Sequence, residues 1–216
     1  MTGLVVLGVL LIYIAVAAGV TVAAKGRWKL LVVAVFILIP TWDILPGKIA
    51  LARHCEQEGG IKIYRSVDGV EGFLSLDGRV YEESFRRDGY KYVEVAREKR
   101  DPRTGNATGI EYSRVTLGED GKLREEKIEK PISRYAERLM GNYDIISWLG
   151  IAGFVDLIVD LRTDEKIGEY REIGWRGNWI QRLASPIMGG GGSCRESGNP
   201  YERLRLQVLR PAKTSS

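Results

Sequence analysis

Two apolar runs near the beginning of the chain constrain its fold more than any other feature. The first, Leu4–Ala24, has 21 residues and no charge, and the second, Leu30–Leu45, has 16 residues. An α-helix of 21 residues is about 31 Å long, which is the thickness of a bilayer core. The pattern therefore predicts a transmembrane helical hairpin over residues 1–46, followed by one domain over residues 47–216.

Each run has an alternative interpretation. The first could be a cleaved signal peptide, with an A-x-A pattern at Ala15–Ala17, but its start has no positive charge and the run is longer than a signal sequence needs. The second contains Pro40 and Asp43 and could be a buried helix of a soluble domain. Trp28 and Trp42 at its two ends, about 21 Å apart on a helix, favour a membrane span.

The residues at the ends of the second run are predicted to lie at the membrane interface. Trp28 and Trp42 are aromatic anchors, and Asp43 is close enough to the exit to reach headgroups and water. Pro40 is expected to kink the last turns, and Pro46-Gly47 is expected to end the helix.

The link between the two runs predicts the topology. Lys25, Arg27 and Lys29 lie in this short link, and positive charge in a short loop marks the cytoplasmic side. The N-terminus and the large domain are then outside, which in a bacterial cell is the periplasm. Lys48 and Arg53, just beyond the second run, weaken this bias.

The charge balance of the large domain argues against nucleic acid as a partner. Of 32 basic and 28 acidic residues in the chain, 29 basic and 27 acidic ones lie beyond residue 46. A nucleic-acid surface requires a basic excess on one face, and this near-balance does not provide one.

Two cysteines, Cys55 and Cys194, lie near the two ends of the large domain. An even number of cysteines outside the cytosol is consistent with a disulfide. Two unrelated buried thiols or a metal pair are the alternatives, and metal is disfavoured because His54 is the only histidine and there is no C-x-x-C spacing.

Beyond the second run, the sequence alternates between apolar and polar residues in short segments separated by turn residues. This pattern predicts an α+β fold with a mainly antiparallel sheet and short helices. The expected helix is Leu51–Glu58, ended by Gly59-Gly60. The expected strands are Ile61–Val67, Val70–Leu76 (as part of a hairpin series), Tyr90–Ala96, Ile110–Leu117, Val155–Leu161, Gly168–Trp175 and Leu204–Leu209. Val155–Leu161 and Gly168–Trp175 are expected to form a hairpin, with the turn in Thr163–Lys166. The apolar stretch Tyr143–Phe154 is a core helix, a core strand or a surface that touches the bilayer.

No catalytic signature stands out, so the chain is predicted not to be an enzyme and to hold no cofactor or metal. His54 stands alone, and no serine has the setting of an activated nucleophile. Asp156 and Asp160 share a face on a strand or a helix and could bind a cation, but no further oxygen ligands follow at regular spacing.

The segment from Trp42 to the turn at Gly69 resembles a recurring pattern in small uncharacterised bacterial inner-membrane proteins. It reads W-D-x-x-P-G, then a short helix with one cysteine, then E-G-G and an I-K-I-Y strand that leads to V-D-G. The later Tyr170 and Trp175–Trp179 region is also similar. The resemblance implies membrane attachment and a small exported domain, although those proteins often have one span.

Two functions follow as hypotheses. The first is a non-enzymatic accessory or structural subunit of a bacterial envelope complex, in which the bilayer and another membrane or envelope protein are the partners. The alternative is a membrane-tethered periplasmic ligand-binding or sensing domain, with an apolar pocket lined by Trp148, Trp175 and Trp179.

Overall fold

The computed structural model describes residues 2–177, 192–194 and 197–212. It confirms an α+β protein with a large, mostly antiparallel sheet and a few helices. The chain forms two compact units, the first made of residues 1–59, 142–153 and 172–195 and the second of residues 60–141, 154–171 and 196–216.

Three helices begin the first unit: α1 (Thr2–Ala23), α2 (Trp28–Thr41) and α3 (Ile44–Glu58). The Tyr13 hydroxyl donates a hydrogen bond to the carbonyl of Phe36, so α1 and α2 pack side by side. One helical stretch, Trp28–Glu58, is long and apolar enough to cross a membrane by length and composition, and Leu11–Ala23 is a shorter apolar helix.

The expectation that Pro46-Gly47 ends a helix is wrong. Both residues lie near the start of α3, whose N-cap is Asp43. A proline is tolerated there because the first N–H groups of a helix have no partner within the helix. The end of α3 is as predicted, with Gly59 as the C-cap and Gly60 in the left-handed region at φ +91°.

Eight strands form the main sheet in the order β1-β9-β8-β7-β3-β4-β5-β6, and two short strands pair separately as β10-β2. A turn of 3₁₀ helix, Ser147–Leu149, joins β7 to β8, and two further helices are α4 (Glu83–Arg86) and α5 (Pro200–Val208). The strands are β1 (Gly60–Ile63), β2 (Val67–Val70), β3 (Gly72–Ser75), β4 (Tyr92–Arg100), β5 (Ala107–Leu117), β6 (Leu123–Ile128), β7 (Tyr135–Ile146), β8 (Ile151–Asp160), β9 (Glu165–Trp175) and β10 (Leu209–Pro211).

Strand β3 is not part of a hairpin series as expected. It lies between β4 and β7 and is parallel to both, with Phe73 opposite Val93. All four of its residues are buried, as in a strand covered on both faces. Parallel neighbours need a crossover connection, and the segment with α4 provides it between β3 and β4.

Strands β8 and β9 confirm the predicted hairpin, with its turn at residues 161–164. Gly153 on β8 explains the close approach of the strands, because a Cβ there would lie 2.9 Å from the carbonyl oxygen of Glu172. The apolar stretch Tyr143–Phe154 is neither one helix nor one strand, since it contains the end of β7, the 3₁₀ turn and the start of β8.

Most of the predicted strand Leu204–Leu209 is instead helical: Leu204–Val208 belongs to α5, and Leu209 begins β10. Asn199 caps this helix by accepting from the backbone N–H of Glu202, and Pro200 occupies the first turn. Its buried residues, which include Leu204 and Val208, repeat with helical spacing. The Asn-Pro start signal outweighs the short apolar alternation.

Each unit has its own core. In the second unit, Leu204 and Val208 of α5 join a buried cluster with Phe73 of β3 and Tyr170 of β9. Gly168 allows this packing, because a Cβ there would lie 2.5 Å from a methyl carbon of Val208. In the first unit, the core consists of Leu149, Ile151, Ile173 and Trp175, with residues of α3 packed against it.

Candidate functional site

The predicted interface residues differ in their surroundings. Trp28 and Trp42 are exposed, as membrane anchors require. Asp43 is fully buried, so its carboxylate does not reach water as expected. Its backbone carbonyl accepts from the N–H of Gly47, which places it at the start of α3. Lys25, Arg27 and Lys29 are exposed around the turn between α1 and α2, where Gly26 has φ +56°.

Trp148 and Trp175, two of the three tryptophans expected to line an apolar pocket, have different surroundings. The ring of Trp148 stacks on that of Trp42, with centroids 5.9 Å apart and planes 5° from parallel. Trp175 is buried, and its indole nitrogen donates to the carbonyl of Leu149 at 2.9 Å. Trp179 lies outside the described residues, so the pocket of Trp148, Trp175 and Trp179 stays a prediction.

Trp175 instead explains the glycine of the W-D-x-x-P-G segment. A Cβ at Gly47 would lie 2.8 Å from two atoms of the Trp175 indole ring. The ring therefore packs directly on the backbone of α3. The glycine has a packing role here and does not end the helix.

An apolar surface lies next to the Trp42–Trp148 stack. It is formed by Leu45 and Ile49 of α3 with Ile146 and Trp148, and we refer to these four residues as the Trp148 surface. Leu45 is 67% exposed, Ile49 is 60% exposed and Trp148 is 57% exposed. They border an open groove of about 470 Å³, which Arg53 and His54 also line.

The cysteine pairing is confirmed. Cys55 and Cys194 form a disulfide with Cα atoms 5.6 Å apart, across a sequence separation of 139 residues. The bond links α3 to the segment next to β9, where Ser193 pairs with Gly174. Gly59 packs closely against it, because a Cβ there would lie 3.2 Å from Cys194 Sγ.

The second unit contains a buried pair of acids that the sequence analysis did not find. Asp156 of β8 is 2% exposed, and its carboxyl is hydrogen-bonded to the Glu137 carboxylate of β7. Among the described residues, Asp156 Oδ1 has no hydrogen-bond partner. Burial, together with the negative charge of Glu137, raises the pKa of Asp156 to about 9. Asp156 is therefore protonated at neutral pH.

Arg205 neutralises the negative charge of two nearby acids, Glu137 and Asp88. Arg205 of α5 is buried and pairs with Glu137 at 3.2 Å and with Asp88 at 3.3 Å. Its guanidinium carbon lies 5.0 Å from the centre of the Phe73 ring. A small polar cavity of about 10 Å³, no larger than one water molecule needs, adjoins Glu137. Its lining residues are Asp77, Arg79, Tyr81, Glu137 and Tyr201.

Asp160 does not join Asp156 in a cation site. Its carboxylate accepts from Arg134 at 2.8 Å and from Arg65 at 2.9 Å. The hydrogen bond from Arg134 lowers the pKa of Asp160. Arg65 and Arg134 neutralise the negative charge of Asp160, which would be needed to attract a cation.

Glu94 of β4 is another fully buried carboxylate with a structural role. It accepts from the backbone N–H of Ser133 at 2.8 Å and from Arg114 at 2.8 Å. Burial opposes ionisation, but these hydrogen bonds outweigh it and lower the pKa of Glu94. The carboxylate therefore fixes the segment before β7 to the sheet.

No known protein family, curated protein or solved structure matches this chain. Within residues 2–177, 192–194 and 197–212, no group of three or more His, Cys, Asp or Glu side chains is arranged to hold a metal ion. A function for the chain must therefore be argued from the two features above, the apolar surface of the first unit and the acid pair of the second.

Proposed function

We propose that this chain is a membrane-anchored, non-enzymatic accessory subunit of a bacterial envelope complex, with its sheet domain in the periplasm. The observation that carries the proposal is the apolar surface of α1 and α2. No residue of α2 is buried. The exposed apolar residues include Leu30 and Leu38 of α2 and Ile12 of α1. Such a surface requires lipid or a partner's helices around it.

A groove between α1 and α2 supports a helix of a partner protein as the occupant. Its volume is about 530 Å³, and its α1 side includes Ala17, Ala18 and Thr21. Small side chains allow the close backbone approach on which helix association in membranes depends. Gly8 and Gly19 of α1 also have open space in front of their Cα atoms.

Isolation from crosslinked native membranes in mild detergent tests this proposal. The unmodified chain is expected to carry a membrane partner in stoichiometric amount. Ala18→Phe fills the groove and is expected to lose the partner, whereas Val16→Phe adds a similar volume outside the groove and is expected to keep it. A chain that is isolated alone, or equal loss in both variants, would contradict the proposal.

A further inference from the structure

The span assigned to α2 is too short to cross a bilayer by itself. Its 14 residues are about 21 Å long, compared with about 30 Å of hydrocarbon. The helical stretch Trp28–Glu58 continues through α3, and about six more residues are needed to make up the difference. With Trp28 at one boundary, the other boundary falls near Gly47, beyond Trp42.

This position places Trp148 within the membrane. Its ring stacks on that of Trp42, and the two belong to the same compact unit. Leu45 lies inside the same boundary, and Ile49 lies just beyond it. The exposed residues of the Trp148 surface are therefore at the depth where acyl chains would cover them.

We propose that the 3₁₀ turn Ser147–Leu149 and the start of α3 insert together into the outer leaflet, with lipid acyl chains as the occupant of the Trp148 surface. The inference rests on the membrane anchoring proposed above and adds a second point of insertion. The sheet domain would then be held against the bilayer and not only tethered to it.

The backbone of the turn meets the main requirement for insertion. Non-helical backbone at membrane depth must have its polar groups satisfied by protein. The carbonyl of Ser147 accepts from the N–H of Gly150 at 3.0 Å, and the carbonyl of Leu149 accepts from Trp175 Nε1. The carbonyl of Gly150 accepts from the N–H of Arg176 at 2.9 Å. The carbonyls of Ser147, Leu149 and Gly150 therefore all have protein donors.

The charged residues of this region have the arrangement that insertion requires. Asp43, which lies below the proposed boundary, is fully buried in protein. Arg53 is eight residues after Leu45 on the same stripe of α3, about 12 Å further along the helix, at the level of lipid phosphates. The stripe thus changes from apolar to basic in the direction that leads out of the membrane, which favours lipid over a protein partner.

Tryptophan quenching of the full chain in lipid nanodiscs tests the inference. The probes are phosphatidylcholines brominated in the acyl chains and iodide in the aqueous phase. The emission that Trp148→Phe removes is assigned to Trp148, and Trp28→Phe gives the matched value for an ordinary interfacial tryptophan. We expect the Trp148 emission to be quenched by the brominated lipids and to be insensitive to iodide.

Iodide quenching of Trp148 without quenching by the brominated lipids would overturn the inference and leave the surface to a protein partner. A chain that does not enter nanodiscs at all would contradict the anchoring itself. If Trp148→Phe does not fold, hydrogen exchange of the unmodified chain gives the answer. Slow exchange of the Trp148 and Leu149 amides in nanodiscs supports insertion, and fast exchange contradicts it.

Discussion

Replacement of Asp156 by Asn tests the description of the acid pair most directly. The folded protein keeps the Asp156 carboxyl protonated, because burial and the Glu137 carboxylate raise its pKa to about 9. In the unfolded chain the same group has a pKa near 3.8. An amide has the size of the protonated carboxyl and can donate the same hydrogen bond to Glu137, but it does not titrate.

The sign of the effect follows from the raised pKa. The folded state holds a proton that the unfolded state releases above about pH 4, so Asp156 lowers the stability of the wild type progressively between about pH 4 and pH 9. At pH 7 this cost is about 4 kcal/mol, from about three pH units at 1.36 kcal/mol each. Asp156→Asn removes the cost, and we expect a gain of about 2–4 kcal/mol at pH 7.

Urea unfolding in mild detergent, followed by the circular dichroism of the sheet, measures this gain. The advantage of Asp156→Asn over the wild type should grow by about 1.4 kcal/mol per pH unit between pH 5 and pH 8. A gain that does not depend on pH, or a loss of stability throughout, would refute the protonated pair. Asp160→Asn is the matched control on the same strand. It should lose stability at neutral pH, because Arg65 and Arg134 would lose a carboxylate partner.

Three further substitutions test the packing of the two units. Cys55→Ser should lower the free energy of unfolding by about 4–5 kcal/mol, and treatment with reductant should have no further effect on this variant. Gly47→Ala should lower the melting temperature, at a cost of about 1–3 kcal/mol, because its Cβ would overlap the Trp175 ring, whereas Gly19→Ala, with open space around it, should not. Glu94→Gln should cost about 3–5 kcal/mol at neutral pH. Because hydrogen bonds lower the pKa of the wild-type carboxylate, this disadvantage should shrink as the pH falls through that lowered pKa, and the two unfolding curves should converge in acid.

The sequence predicts the parts of the fold that depend on local pattern. Regular alternation with turn residues between the strands locates the β8–β9 hairpin, and the even cysteine count leads to the Cys55–Cys194 pairing. The sequence does not distinguish a short helix from a short strand when the spacing of the apolar residues fits both, as at Leu204–Leu209. There the capping residue Asn199 was the better indicator.

The acid pair could not be predicted in the same way. Asp156 and Glu137 lie on adjacent strands, and Arg205, which pairs with Glu137, comes from a helix far along the chain. Only the register of β7 and β8 and the docking of α5 bring these groups together. Asp156 and Asp160 were noticed because they are close in sequence, but their partners, and therefore their protonation states, depend on tertiary structure.

The position of α5 has a consequence for biogenesis. Strand β3 is made early, but its core is completed only by Leu204 and Val208, which the ribosome adds more than a hundred residues later. The sheet must therefore wait, incompletely covered, until α5 has been synthesised. Folding of this protein should accordingly depend on chaperones that bind the unfinished sheet more than its modest size suggests.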